Sequence, residues 1–420
     1  MKQYLRRLSG NTDKWYSLSD NALSSVFRIV SSMAVLKLAG EEIFAEYVIL
    51  FTTYVIIQSL SNSYFIMPLA HSAGLGKSHI SEMYRWTEKR LRKLQVFIAL
   101  LIGVSFFVTS PLNIDHHVFT GFGGSILFSL SAQNRRSRNQ THFKSKIILI
   151  SNIYGLALHS FIFLVGWHYY NAPLAGYWWG CFASQICCYY ILNFLQSSET
   201  KGERVALSHE IISRVTKDGL HMTMGSLANM FSSRSQPFVL SLLSGSLAVS
   251  YFGVVMTFSG PLRILSVALQ NTLRPRFALF VNDKDPDRFR KLYFKSQSMI
   301  IALGIVALLV SFCIESTLVT FLLGTNNSFP AGLLSLAIFL ATLDAVTSCQ
   351  MVAIQTACQK GPSKTTQMRW IAAGVNLLII FPLSYYYGAT GAIISALVSE
   401  CFYFCLAQSV INKNDLIPKS

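Results

Sequence analysis

Apolar residues recur along the whole chain in long runs, and short polar segments separate these runs. A run of about 20 predominantly apolar residues is what an α-helix needs to cross the hydrocarbon core of a bilayer. The pattern predicts an all-α integral membrane protein with about twelve spanning helices, called spans 1 to 12. They lie near 17–38, 44–70, 94–112, 118–134, 147–169, 173–196, 218–243, 247–273, 296–323, 329–358, 370–387 and 390–411. Span 4 is short and rich in glycine and serine, so a re-entrant or surface segment is the alternative there.

Lysine and arginine concentrate in every second connection between the spans. Cytoplasmic loops carry an excess of these residues, so both termini are predicted to be cytoplasmic. The net charge of +16 then belongs to loops beside anionic lipid, and no nucleic-acid partner is predicted. The basic connections are 71–93, 135–146, 197–217, 274–295 and 359–369. The eight cysteines are spaced neither as a disulfide framework nor as a zinc site, so no metal or cofactor is predicted.

The two halves of the chain resemble each other weakly. Asp20 opens span 1 as Asp218 opens span 7. Six helices followed by six in the same orientation form a parallel repeat, with the two halves related by an axis along the membrane normal. The predicted organisation is an N-terminal lobe (1–196), a cytoplasmic linker of amphipathic character (197–217) and a C-terminal lobe (218–420).

Three arginines lie inside apolar spans: Arg28 in span 1, Arg234 in span 7 and Arg263 in span 8. A charge there is costly and normally faces a bundle interior or a watered cavity. Polar residues at helical spacing accompany Arg28 and Arg263 on one helix face. The predicted cavity residues are Arg28, Arg234, Arg263, Ser24, Ser31, Asn62, Ser266 and Gln270. The alternative is that each arginine pairs privately with an acid or a carbonyl for packing, or that Arg234 reaches the outer headgroups.

Two acids, Asp344 and Glu400, lie deep in spans of the C-terminal half. They are candidates for protonatable groups that couple transport to a proton or sodium gradient. The alternative is that they are buried acids, either paired or kept neutral.

Two stretches carry a resemblance to a known family: GEEIFAEYVILFTTYVIIQSLSNS in span 2 and the closing NLLIIFPLSYYYGATGAIISALVSE. With twelve spans and both termini inside, the chain resembles polysaccharide flippases of the multidrug/oligosaccharidyl-lipid/polysaccharide exporter (MOP) superfamily. The resemblance implies a V-shaped pair of six-helix lobes around a central cavity lined by spans 1, 2, 7 and 8. It also implies a sodium site that would map onto Asn229, Asn376 and Glu400. Span 2 departs from the family pattern because it has no basic residue.

The function that the resemblance implies is a flippase of the bacterial cytoplasmic (inner) membrane. Its substrate would be a polyprenyl-pyrophosphate-linked oligosaccharide, such as an O-antigen, exopolysaccharide or capsule repeat unit, moved by alternating access. Cavity arginines suit a pyrophosphate. Membrane lipid and other proteins of polysaccharide assembly would be the further partners.

Two other functions are weighed against the flippase. A multidrug or small-molecule exporter of the same superfamily, coupled to a proton or sodium gradient, would favour acids and aromatic residues in its cavity. An enzyme such as a polysaccharide polymerase or ligase would need a large outer loop with catalytic residues. The predicted outer connections are all short, so an enzyme is not expected.

Overall fold

The computed structural model describes residues 2–66, 82–96, 115–141, 144–196, 209–263, 285–323, 329–358 and 361–413, with a few single positions between 273 and 283. Every regular element in these ranges is a helix, so the predicted all-α class is confirmed. The helices are α1 (Lys2–Ser61), which runs on into a π-helical turn (Asn62–Ile66), α2 (82–96), α3 (His116–Thr141), α4 (Ser145–Tyr170), α5 (Pro173–Gln196), α6 (His209–Ser233), α7 (Gln236–Leu243), α8 (Gly245–Phe258), α9 (Pro286–Leu323), α10 (Leu333–Ala357) and α11 (Gly361–Lys413).

Five helices of this part of the chain are long and apolar enough to cross a membrane. Two of them, α1 and α11, each contain two predicted spans, because a glycine with positive φ interrupts each helix. Gly40 has φ 82° and Gly388 has φ 54°, a backbone conformation that glycine adopts without steric cost. The count of twelve spans stays a prediction, since most of span 3 (97–112) lies outside the described residues.

Several helices extend beyond the apolar runs that predicted them. Helix α2 occupies 82–96 within the predicted connection 71–93, and α9 begins at Pro286 rather than near 296. Helix α6 begins within the predicted linker, at His209. An α-helix satisfies its backbone hydrogen bonds internally in water as well as in lipid. Hydropathy therefore marks where the apolar surface stops and not where the helix ends.

The chain forms two compact units, the first of Met1–Ser31 with Thr53–Thr223 and the second of Ser32–Thr52 with Met224–Ser420. The predicted division into lobes at 197–217 stays a prediction.

In the first unit, α4 and α5 pack along each other. A Cβ added to Gly166 would lie 2.5 Å from the Cα of Gly176, so this contact needs glycine. The start of α6 packs here too, because Val215 is buried with Met83 and Tyr84 of α2.

Helix α10 forms the centre of the second unit. Of its most apolar stretch, 72% is buried, against 17% for α9. Its residues share a core with α9 and α11, as in the buried group of Ile300, Val352 and Tyr403. Because α10 is enclosed by its neighbours, a polar side chain on it faces protein or a cavity. This position is what makes Asp344, in the middle of α10, a residue of functional interest.

Candidate functional site

Five charged residues of the second unit interact electrostatically with one another, and we call them the charge cluster. Asp344 lies on α10, Glu400 and Arg369 lie on α11, Arg263 follows α8, and Arg234 lies between α6 and α7. The cluster therefore contains three arginines and two acids. The sequence analysis assigned the arginines to substrate and the acids to coupling, whereas the structure brings both kinds of residue into one electrostatic environment.

Glu400 is fully committed to neighbouring side chains. Arg369 Nη1 donates to Glu400 Oε2 at 2.7 Å, and both side chains are only 6% exposed. The hydroxyl of Thr347 on α10 donates to the other carboxylate oxygen, Oε1. The Arg369 guanidinium also lies over the ring of Tyr403, 3.8 Å from its centroid. This pair has the geometry and the additional hydrogen bond that a buried ion pair needs to offset its desolvation.

Arg369 is the residue of this cluster that sequence reasoning missed. It was counted among the basic residues of the cytoplasmic connection 359–369, and that assignment is wrong because Arg369 is buried on α11. The only signal was its position directly before span 11, a boundary that hydropathy places to within a few residues. Its partner Glu400 is distant in sequence, so no local pattern joins the two.

Asp344 differs from Glu400 because its carboxylate is uncommitted. The side chain is half-buried, and within the described residues it makes no hydrogen bond or ion pair. Its surroundings are nevertheless charged, with Glu400, Arg263, Arg369 and Arg234 all in electrostatic range. Asp344 is thus the acid of the cluster that is able to change partners.

Arg263 is the arginine with donors to spare. It is half-buried, and its Nη2 lies 3.7 Å from the Met256 sulfur, a weak acceptor. Its Nε is buried without a hydrogen-bond partner among the residues that the structure describes. A buried guanidinium donor without an acceptor is costly, so an oxygen-rich anion would be well bound here.

Arg234 lies at a break between α6 and α7. Pro237 opens α7 and lacks the N–H that would continue α6, so the predicted interruption of span 7 is present. Asn376 of α11 donates to the Phe231 carbonyl at 2.9 Å and thereby satisfies the end of α6. The side-chain oxygens of Asn376 and Gln236 are both buried without a partner in the described ranges.

The three residues of the implied sodium site do not form one site through direct contacts. Glu400 is held by Arg369, Asn376 caps α6, and Asn229 is exposed on α6. No hydrogen bond joins any two of these side chains in the part of the chain described here. Within that part there is also no group of three or more His, Cys, Asp or Glu side chains that could hold a metal ion. The coupling role of these residues stays a prediction.

The first unit contains a second buried ion pair, which we call the Asp20 network. Asp20 of α1 accepts hydrogen bonds from Arg136 of α3 and from Asn152 of α4, the latter at 2.8 Å. Asn152 also donates to the Ser24 hydroxyl at 2.7 Å, and Ser24 donates to the Asp20 carbonyl at 2.8 Å. Ser24 was predicted to line the cavity, but its hydroxyl is engaged inside this network. Arg136 was counted as a loop residue, and that assignment is wrong because it lies on α3.

The remaining predicted residues of the first unit have different environments. Arg28 is exposed on α1 and interacts electrostatically with Tyr54 and Cys181. Ser31 is buried and donates to the Arg28 carbonyl at 3.2 Å. The predicted polar stripe is therefore divided between an exposed and a buried position.

Asn62 begins the π-helical turn, a feature that is frequent at functional sites. Its Oδ1 is buried and has no hydrogen-bond partner among the described residues. Ser266 and Gln270, the last two predicted cavity residues, lie outside those residues.

No family model and no curated protein matches the sequence. Solved structures, in contrast, match over nearly its whole length. An inward-facing multidrug resistance MATE family transporter of the MOP superfamily has a TM-score of 0.73 at 10% identity, covering 95% of this chain and 98% of that one. The inward closed lipid II flippase MurJ has a TM-score of 0.66 at 12% identity, covering 94% and 87%. The fold is that of MOP transporters.

A third match extends this result to a eukaryotic protein. The MATE transporter AtDTX14 has a TM-score of 0.62 at 13% identity, and the match covers 96% of each chain. The matched MOP proteins thus include multidrug transporters and a lipid-linked flippase. The resemblance seen in the sequence is confirmed at the level of the MOP fold, and the polysaccharide branch stays a prediction.

Proposed function

We propose that the protein is a flippase that moves a polyprenyl-pyrophosphate-linked oligosaccharide across the bacterial cytoplasmic membrane by alternating access, with both termini in the cytoplasm. The substrate would be an O-antigen, exopolysaccharide or capsule repeat unit. The observation that carries this proposal is Arg263, a half-buried guanidinium with a buried, unmatched donor in a cluster where arginines outnumber acids. The MOP fold, which a known lipid II flippase shares, supports the same substrate class.

The charge balance of the cluster favours an anionic substrate. Once Arg369 and Glu400 neutralise each other, Arg234 and Arg263 remain with Asp344 as the opposing acid. A pyrophosphate presents several oxygens to which a guanidinium binds through paired, charge-assisted hydrogen bonds. It is also the strongly anionic part that every polyprenyl-pyrophosphate-linked substrate has in common.

A MATE-like exporter coupled to an ion gradient is the second candidate. Asp344 favours it, because an uncommitted acid on the most enclosed helix is suited to bind a proton or a cation. The two functions predict different effects of the arginines. An exporter of organic cations gains nothing from Arg263, whereas a flippase for a pyrophosphate depends on it.

The test is translocation of a lipid-linked oligosaccharide by the full-length protein in proteoliposomes, measured per folded transporter. We expect Arg263→Ala to reduce translocation at least about tenfold, since a charge-assisted contact contributes roughly 1.5–3 kcal/mol. Arg28→Ala should also reduce it, and lysine at either position should rescue only in part. Arg288→Ala is the matched control, because Arg288 is a 73% exposed arginine at the start of α9. Translocation near the wild-type rate in both alanine variants would overturn the proposal.

A further inference from the structure

We propose that Asp344 is the resident counter-ion of Arg263, that the phosphates of the substrate displace it, and that it thereby selects pyrophosphate-linked over monophosphate-linked lipids. This inference rests on the proposed function and adds to it a residue that sets substrate specificity. It is carried by the contrast between the two acids of the charge cluster.

Asp344 is the acid that is available for this role. Both carboxylate oxygens of Glu400 are occupied, one by Arg369 and the other by Thr347. The Asp344 carboxylate has no such partners among the described residues, yet Arg263 is the cation that Asp344 and Glu400 both influence. Without a substrate, the negative charge of Asp344 offsets part of the cost of holding Arg263 away from water.

Arg263 is, conversely, able to accept a new partner. Its one hydrogen-bond contact among the described residues is to the sulfur of Met256 at 3.7 Å. A phosphate oxygen is a far stronger acceptor than a thioether sulfur. An incoming phosphate would thus gain contacts with Arg263 that no described protein group already makes.

The carboxylate and the phosphate cannot share this environment at low cost, because two negative charges in close proximity repel each other. Bringing an anion to Arg263 therefore requires Asp344 to take up a proton or to move toward Arg234 or Arg369, the other cations in its range. Glu400 adds to the repulsion, since it lies in the same cluster and is held in place.

This competition explains why the number of phosphate charges would matter. A monophosphate monoanion replaces one negative charge by another and gains little over the resident carboxylate. A pyrophosphate brings at least two negative charges and can engage more than one guanidinium at a time. Asp344 would thus raise the threshold for binding so that only the more highly charged headgroup exceeds it.

The experiment compares geranyl pyrophosphate and geranyl monophosphate as ligands of the purified full-length protein in lipid nanodiscs, with dissociation constants measured by calorimetry. Wild type should prefer the pyrophosphate. Asp344→Asn keeps the shape of the side chain and removes its charge. It should tighten monophosphate binding by about tenfold or more, because a like charge beside a bound anion costs at least that much affinity. The gain for pyrophosphate should be smaller, so selectivity falls.

Two further variants make the result specific. Asp285→Asn makes the same chemical change at a partly exposed acid that pairs with Arg288, and it should leave both constants unchanged. Asp344→Glu retains the charge and should retain the selectivity. If Asp344→Asn does not accumulate as folded protein, Asp344→Ser removes the same charge and serves in its place.

The outcomes separate this inference from the proposed function. If wild type binds pyrophosphate and the neutral Asp344 variants bind both ligands as wild type does, the counter-ion role is overturned and the flippase proposal stands. If wild type binds neither ligand but binds an organic cation such as ethidium, the flippase proposal fails and this inference fails with it. Loss of selectivity in the neutral variants, with selectivity kept in Asp344→Glu, supports both.

Discussion

Each of the two units contains a buried acid–arginine pair, and the two pairs differ in what surrounds them. In the Asp20 network, the acid is 3% exposed and Arg136 is 25% exposed, with Asn152 as a second donor. In the charge cluster, Glu400 and Arg369 are both 6% exposed, and further charges lie around them. The first pair joins three helices and has its charges locally satisfied. The second pair is itself satisfied but borders an acid and arginines that are not.

The comparison suggests a division of labour within the charge cluster. A satisfied ion pair cannot exchange partners without a large cost, so Glu400 and Arg369 serve as a rigid support for α11 against α10. Asp344 and Arg263 have weaker commitments and lie in the same field, so they are the members that a substrate can rearrange. In the Asp20 network, every described polar group has a partner, and we expect its role to be structural.

The largest expected effect is on Glu400. Replacing it by glutamine leaves the Arg369 guanidinium buried without its counter-charge, and breaking a buried pair in this way costs about 3–5 kcal/mol. We expect Glu400→Gln to lower folded abundance and thermal stability sharply in fluorescence-detected size-exclusion chromatography.

The control for this effect replaces both partners. Glu400→Leu with Arg369→Met removes both charges with apolar residues of similar length and should recover much of the stability, since such replacements are often neutral. A Glu400→Gln variant as stable as wild type, with only its ion dependence altered, would instead support the coupling role that the sequence analysis considered for Glu400.

A smaller effect is expected for Asp20→Asn. Arg136 loses its counter-charge, but a quarter of its side chain is exposed, so water can hydrate it in part. The loss should be about 1–3 kcal/mol, seen as a lower melting temperature with transport per folded molecule unchanged. A loss of transport in molecules that remain folded would show that the two pairs are not as different as their surroundings indicate.

The smallest effect is expected for Ser24→Ala. The hydroxyl of Ser24 accepts from Asn152 and donates within α1, so its removal should cost about 0.5–1.5 kcal/mol. Transport per folded transporter should equal that of wild type. Ser63→Ala is a suitable control, because Ser63 is a buried serine of the same unit outside this network. A selective loss of transport in Ser24→Ala would restore the cavity role predicted for this residue.

Much of the architecture followed from hydropathy, because only a helix satisfies every backbone group inside a lipid bilayer with its own hydrogen bonds. Long apolar runs therefore identified the helical class and the positions of α4, α5 and α10. The turn at Gly388 was also predictable, since it falls between two apolar runs and requires a residue that tolerates positive φ. The same reasoning found Arg263 and Asp344, because a charge in an apolar run is conspicuous.

Only the tertiary structure decided which charges are partners. Arg369 and Arg136 each lie at the end of an apolar run, where composition does not distinguish a hydrated loop residue from a buried helical one. Their burial depends on helices that extend beyond the apolar surface and on acids that are remote in sequence, Glu400 and Asp20. Electrostatic pairing acts through space over a few ångströms, whereas hydropathy is a property of neighbours along the chain. For this reason the sequence identified charges that needed partners, and the packing of the helices determined which were satisfied and which were left for a substrate.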